Sequence, residues 1–139
     1  IEIEAGGSVA SVEARLSYAY TDARVRGAGT SAALDGLRPA QTPRHQASAT
    51  LAWRAAAGTQ ASVTGRYQSS QFEDDQNNRV LGDALTLDSA ATLSIGDGLA
   101  LIARVENAFD ARVDTGFSGN ARERSHPRTL WLGVNATLR

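Results

Sequence analysis

Leu130-Trp131-Leu132-Gly133-Val134-Asn135-Ala136-Thr137-Leu138-Arg139 is the stretch that decides the fold. Leu130, Leu132, Val134, Ala136 and Leu138 fall on one side, and Trp131, Gly133, Asn135, Thr137 and Arg139 on the other. A period of two marks a strand whose faces meet different surroundings, whereas a helix would mix the two sets. The same pattern recurs upstream. Leu99, Leu101, Ala103, Val105 and Phe109 oppose Arg104 and Glu106, with Ile102 out of phase. Leu85, Leu87, Ala91, Leu93 and Ile95 oppose Thr86, Asp88, Thr92 and Ser94, with Ser89 as the exception. Ala61, Val63, Gly65 and Tyr67 form a fourth set, and Ala47, Ala49, Leu51, Trp53 and Ala55 a fifth. Val12, Ala14, Leu16, Tyr18 and Tyr20 form a sixth, and Ile1, Ile3 and Ala5 open a short seventh. The periodicity predicts seven strands, most of them 9–12 residues long.

That length is informative. Strands in soluble proteins average about 5–6 residues, while strands that cross a bilayer at a tilt need about 9–11. The connections alternate short and long. The short ones are Gly6–Ser11, Ala56–Thr59 and Gly96–Gly98; the long ones are Asp22–His45, Ser69–Asp83 and Asp110–Arg128. Outer-membrane barrels have this parity, with short periplasmic turns and long surface loops. It sends the last strand from the cell surface towards the periplasm. Tyr18, Tyr20, Tyr67 and Phe109 then fall near the surface ends of upward strands, and Trp53 near the periplasmic end of a downward one. These are the two aromatic girdles of a barrel.

Composition is consistent with this class. The 139 residues include 25 Ala, 14 Arg, 15 Asp plus Glu and 2 His, with no Lys, Cys or Met and a net charge of −1. Without cysteine there is no disulfide framework, thiol nucleophile or Cys-based metal site. Near-neutral charge with no basic block argues against nucleic-acid binding. No apolar run approaches the ~18–20 residues of a spanning helix, which leaves a strand-built membrane protein open. The chain starts at Ile1 with no signal-peptide pattern, and is expected to be a piece of something longer or a processed product. A soluble β module would have to build its core from an Ala-rich stripe, which buries little apolar area.

Specific elements narrow the class. Val105-Glu-Asn-Ala-Phe-Asp110 and Pro127-Arg-Thr-Leu-Trp-Leu-Gly133 resemble paired elements near the end of TonB-dependent outer-membrane receptors. Tyr18-Ala-Tyr-Thr-Asp22, Pro43-Arg-His-Gln-Ala-Ser48 and Phe72-Glu-Asp-Asp-Gln-Asn77, followed by Leu87-Asp88, are similar to further elements of that family, in its order. The resemblance covers essentially the whole chain. It implies an all-β, antiparallel transmembrane β-barrel segment, about seven meander strands of a 22-stranded barrel. Residues 1–139 would be its C-terminal part, with the plug domain absent. The implied function is active uptake of a scarce nutrient, a ferric siderophore first among them, and not catalysis. Implied partners are outer-membrane lipid, the plug and remaining strands of the same protein, the TonB complex, and a small-molecule ligand such as a metal chelate. No cofactor is implied. Family members commonly end in an aromatic residue at the phase that follows Arg139. A small outer-membrane barrel with a structural or adhesive role is the alternative. Seven strands are odd in number and should not close alone, and their outer edges would be unpaired.

Few residues invite chemistry. His45 and His126 lie beside prolines near the tops of downward strands and are candidates to touch a metal chelate. The plainer reading is loop-to-strand polar contacts. Arg122 and Arg124, with Arg128 nearby, are candidates for an anionic ligand at the barrel mouth. Glu73-Asp-Asp-Gln-Asn-Asn78 suggests calcium, but it fails an EF-hand match at Gln76 and Arg79, so a solvated or loop-ordering stretch is expected. Gly116-Phe-Ser-Gly-Asn120 resembles a nucleophile elbow but ends in Asn and lacks the strand–turn–helix context. The sequon Asn135-Ala-Thr137 falls inside a strand and is dismissed. Arg15, Arg54, Arg66, Asp88, Arg104 and Glu106 should face the lumen and pair across neighbouring strands, or contact a plug, because charge facing lipid is costly.

Overall fold

The computed structural model describes residues 1–96 and 98–137. Its strands are β1 (Glu2–Val9), β2 (Val12–Tyr20), β3 (His45–Arg54), β4 (Gln60–Gln68), β5 (Gln71–Phe72), β6 (Val80–Leu81), β7 (Ala84–Gly96), β8 (Leu99–Glu106), β9 (Asp114–Ser118), β10 (Ala121–Arg124) and β11 (Thr129–Ala136). Seven of these form one antiparallel meander in the order β1-β2-β3-β4-β7-β8-β11. The other four are two small hairpins, β5–β6 and β9–β10, which lie within the long connections. Among the described residues, no helix is long and apolar enough to cross a membrane.

The register explains why the alternation extends through the sheet. Ile3 faces Tyr18, Leu16 faces Ala49, Leu51 faces Val63 and Gly65 faces Leu87. Leu93 then faces Leu101, and Leu101 faces Val134. Each apolar set therefore meets the next, and one face of the whole sheet is apolar. A slip of one residue in any pair would turn that strand inside out. A bulge between Ser94 and Gly96 preserves the phase, letting Leu99 take its place on the apolar face opposite Gly96. Ile102, out of phase in the sequence, lies on the polar face between Thr92 and Gly133.

Among the described residues, nothing covers the apolar face. Leu81 and Ala84 are the buried hydrophobics among the described residues, whereas Leu132, Leu130, Val134, Leu85 and Leu51 are more than half exposed. A soluble domain buries such a face against a second layer. A single-layer sheet with one continuous apolar face is what lipid solvates, since every backbone group between paired strands is satisfied within the sheet.

The polar face carries the predicted charges. Arg54 pairs across strands with Glu13 at 2.7 Å, and Arg66 pairs with Asp88. Arg15–Glu13 and Arg104–Glu106 pair along one strand instead. Ser17–Ser48 at 2.8 Å and Thr50–Thr64 at 3.0 Å join hydroxyls across strands. Shallow depressions on this face, lined by Glu4, Arg15, Ser17, Ser48 and Thr50 among others, identify it as the concave one.

Two boundaries differ from the sequence expectation by more than one residue. β1 runs on through Gly6 and Gly7 to Val9, so the first short connection is Ala10–Ser11, with Ala10 at φ 51°. The glycines looked like a turn but remain in the ladder, with Gly7 and Val9 continuing the outward phase. β8 stops at Glu106, so Phe109 belongs to the following turn and is 71% exposed. Gly98, in the short connection expected at Gly96–Gly98, turns the β7–β8 hairpin at φ +78°; Asp97 beside it lies outside the described residues. Leu138 and Arg139, read as the end of the last strand, also lie outside them.

Candidate functional site

The three long connections meet at one end of the sheet: loop 1 (residues 21–44), loop 2 (69–83) and loop 3 (107–128). Loop 2 joins the other two. Asn77, at φ 58°, uses its side chain as a strand would, accepting the Arg38 N–H at 2.9 Å and donating to the Arg38 carbonyl at 2.8 Å. Asp75 accepts the Ala40 N–H, and the Gln41 N–H donates to the Phe72 carbonyl at 2.7 Å. Towards loop 3, Glu73 accepts the Phe117 N–H at 2.7 Å. The rings of Phe72 and Phe117 receive the guanidiniums of Arg38, and of Arg79 and Arg122.

The acidic stretch is therefore loop-ordering. Its carboxylates face N–H groups, and no cluster of three or more metal-ligating side chains occurs among the described residues. Asp74 accepts the N–H groups of Asn78 and Arg79 at 3.0 and 2.7 Å. Those backbone donors, Asn78 first, hold its carboxyl below the usual range.

A second node ties loop 3 to the sheet. Asn107 is buried, at φ 50°, and exchanges two hydrogen bonds of 2.9 Å with Ala111. Its N–H donates to Asp88, which also holds Arg66. Asp110 accepts the Arg128 N–H at 2.9 Å. That bond explains why the Asn-Ala-Phe-Asp and Pro-Arg-Thr elements occur as a pair: one closes the loop onto the other.

The sequence candidates are not brought together in one place. His45 stands opposite Tyr20 on the apolar face. Its Nδ1 is 2.8 Å from the Tyr18 hydroxyl, and its ring is 5.2 Å from that of Tyr20. It belongs to the aromatic girdle. His126 lines a groove of about 210 Å³ on the polar face with Asp88, Glu106, Asn107 and Ser125. Arg122 and Arg124 both pair with Asp114 at the β9–β10 hairpin, and Arg122 also covers Phe117. The Gly116–Asn120 stretch is the end of β9, Gly116 to Ser118, and the two-residue turn Gly119–Asn120 that leads into β10. A larger groove of about 460 Å³ is lined by Glu2, Glu4, Gln46, Arg66, Gln68 and Val113, the last from loop 3. Sequence reasoning missed Asn77 and Asn107 as loop staples. The available signal was an Asn at each loop's tightest bend, since Asn tolerates positive φ.

Comparisons with known proteins agree with this geometry. The sequence model of the family described as TonB dependent receptor-like, beta-barrel matches residues 1–108. No curated protein matches the sequence. Among solved structures, the siderophore receptor PiuA from Acinetobacter baumannii superposes with a TM-score of 0.82 at 15% identity, over 97% of this chain and 21% of that one. The ferric yersiniabactin uptake receptor FyuA from Yersinia pestis gives 0.79 at 18% identity, over 97% and 22%. The ferric citrate transporter FecA gives 0.76 at 21% identity, over 91% and 21%. The chain spans about a fifth of the length of these structures.

Proposed function

This chain belongs to the TonB dependent receptor-like β-barrel family, and on that premise we propose that it forms the C-terminal barrel wall of an outer-membrane receptor for active uptake of a scarce nutrient, a ferric siderophore foremost. Residues 1–139 supply seven wall strands and three surface loops. The plug, the remaining strands and the contact with the TonB complex belong to the rest of the same protein, and no catalytic role is proposed. The observation that carries this is the uncovered apolar face running in register through all seven strands, backed by a concave polar face. The edges of β1 and β11 are free within this sheet and suit continuation by further strands. Among the site candidates, His126, Arg122 and Arg124 stay with the ligand-facing side as members of loop 3. His45 is assigned to the membrane boundary.

The test is uptake of radiolabelled ferric siderophores by cells that carry the complete protein as their one such receptor. Uptake that stops when TonB is deleted supports the proposal. Outer-membrane insertion without any TonB-dependent uptake overturns it in favour of a structural or adhesive barrel.

A further inference from the structure

Loop 1 gathers positive charge: Arg24, Arg26, Arg38 and Arg44 stand against Asp22 and Asp35. Arg24 Nε and an Arg44 terminal nitrogen lie 3.7 and 3.3 Å from the same Asp22 carboxylate oxygen. Arg38 joins them without a carboxylate of its own. Its guanidinium donates to the Thr42 carbonyl and lies over the Phe72 ring. Burial first, and then the charges of Arg44 and Arg24, pull its pKa below the usual value, with Asp22 acting the other way; Thr42, whose carbonyl it meets, is two positions from Arg44. Asp35 and Asp75, the other acids at this loop, face backbone N–H groups of Gly27 and Ala40. Arg44 Nε is buried without a hydrogen-bond partner among the described residues. A buried donor left unpaired is costly, while the Arg44 side chain as a whole is 40% exposed and reaches Asp22 through its terminal nitrogen. Arg122 and Arg124 differ, because both close on Asp114.

The cluster's height is also defined. Tyr20 faces His45 as the last rung of the β2–β3 ladder, and the Thr21 N–H bonds the Arg44 carbonyl one step further out. Arg44 therefore stands just beyond the Tyr18–Tyr20–His45 girdle, at the level of headgroups and surface water.

We propose that Arg24, Arg38 and Arg44 form a binding site for a phosphate-class oxyanion at the outer surface of the membrane. Four arginines against two aspartates leave loop 1 an excess of two positive charges, which matches the charge of a phosphate monoester near neutral pH. Guanidinium forks suit its oxygens. The inference rests on the proposed function for one point, the placement of loop 1 at the cell surface. The anion is either a lipid headgroup or a phosphate carried by a soluble ligand.

Binding is read on the complete receptor in neutral detergent with two probes. Inorganic phosphate is titrated by phosphorus NMR line broadening. Phosphatidic acid, against phosphatidylcholine, is counted by native mass spectrometry. At least one probe should bind saturably, and Arg24→Gln with Arg44→Gln should weaken it roughly tenfold. Asp22→Asn should tighten the same probe by roughly three- to tenfold, a gain that misfolding cannot produce. Arg54→Gln, at the opposite end of β3, should leave that binding unchanged. Stronger response to the lipid assigns a headgroup, and stronger response to free phosphate a soluble ligand. Absence of saturable binding overturns the proposal, as does binding that ignores the arginine changes or an Asp22→Asn variant no tighter than the parent. None of these readouts requires transport, so failure here and failure of uptake are separable.

Discussion

Leu51 and Ala52 are consecutive in β3 and stand on opposite faces of the sheet. Leu51 lies between Ala14 and Val63 on the apolar face and is 55% exposed; Ala52 lies between Glu13 and Ser62 on the polar face. β3 runs from His45 to Arg54, so Leu51 is between one and two residues from its midpoint. With a rise of about 3.3 Å per residue and a tilt near 40°, that is roughly 4 Å of height within an apolar band about 25 Å tall. Leu51→Arg then places a guanidinium close to the bilayer midplane, at a cost of about 2–3 kcal/mol. Ala52→Arg places the same group opposite Glu13 in a wet lumen, where the effect is roughly 0–1 kcal/mol. The difference, about 2 kcal/mol, is roughly 30-fold in the folding equilibrium. Reversible urea unfolding of the complete barrel in phospholipid vesicles, followed by tryptophan fluorescence, measures it. If the two variants unfold within about 0.5 kcal/mol of each other, or if Ala52→Arg is the weaker, the apolar face does not meet lipid and the membrane assignment is wrong.

Asn107→Ala removes both hydrogen bonds to Ala111 from a buried position at positive φ; we expect a loss of about 2–3 kcal/mol in the same unfolding assay, with faster amide exchange at Ala111. Gly98→Ala would set a Cβ 2.5 Å from the Thr137 carbonyl oxygen at φ +78°, so it should cost at least about 2 kcal/mol and slow insertion of the complete barrel into vesicles. Glu73→Ala should release loop 3 from loop 2 while the sheet is unchanged, seen as faster amide exchange at Phe117. Asp74 sets a pH limit on loop 2. Its folded pKa lies below the ordinary 3.8, so its contribution is complete above that value and is lost as pH falls through the lower folded pKa. Exchange at Asn78 and Arg79, corrected for intrinsic rate, should therefore be flat down to about pH 4 and rise only in stronger acid.

The strands were legible because lipid and lumen impose opposite demands on alternate residues, and one surface cannot satisfy both. Thus Leu130 to Ala136 could be read residue by residue. The polar-face arginines were legible for the same reason, since each had one permitted side. What the alternation cannot convey is where a strand yields to a turn when both residues are small. Gly6 and Gly7 fit a ladder as well as a bend, and the structure keeps them in the ladder. His45 differs from its expected place in the loop: Pro43 nearby suggested a connection, while the ladder reaches one residue further and sets His45 on the outer face. The loop contacts lay beyond reach altogether. Asn77 meets Arg38 across 39 positions and Glu73 meets Phe117 across 44, and no periodic signal links such pairs. Nor could composition tell that Asp114 neutralises Arg122 while the arginines of loop 1 remain in excess.

The fastening of loops 1 and 3 to loop 2 limits how this part of the barrel can be rebuilt. Surface loops on a barrel are often treated as interchangeable cassettes, to be swapped between relatives or opened for epitope tags. Here a graft that replaced residues 69–83 alone would strip partners from Arg38, Ala40 and Phe117 at once. A graft of loop 1 alone would put at risk both of the bonds by which Asn77 holds Arg38. The exchangeable module is the set of three loops with the strand tops that carry them, and variation that preserves a working receptor should be concerted across all three.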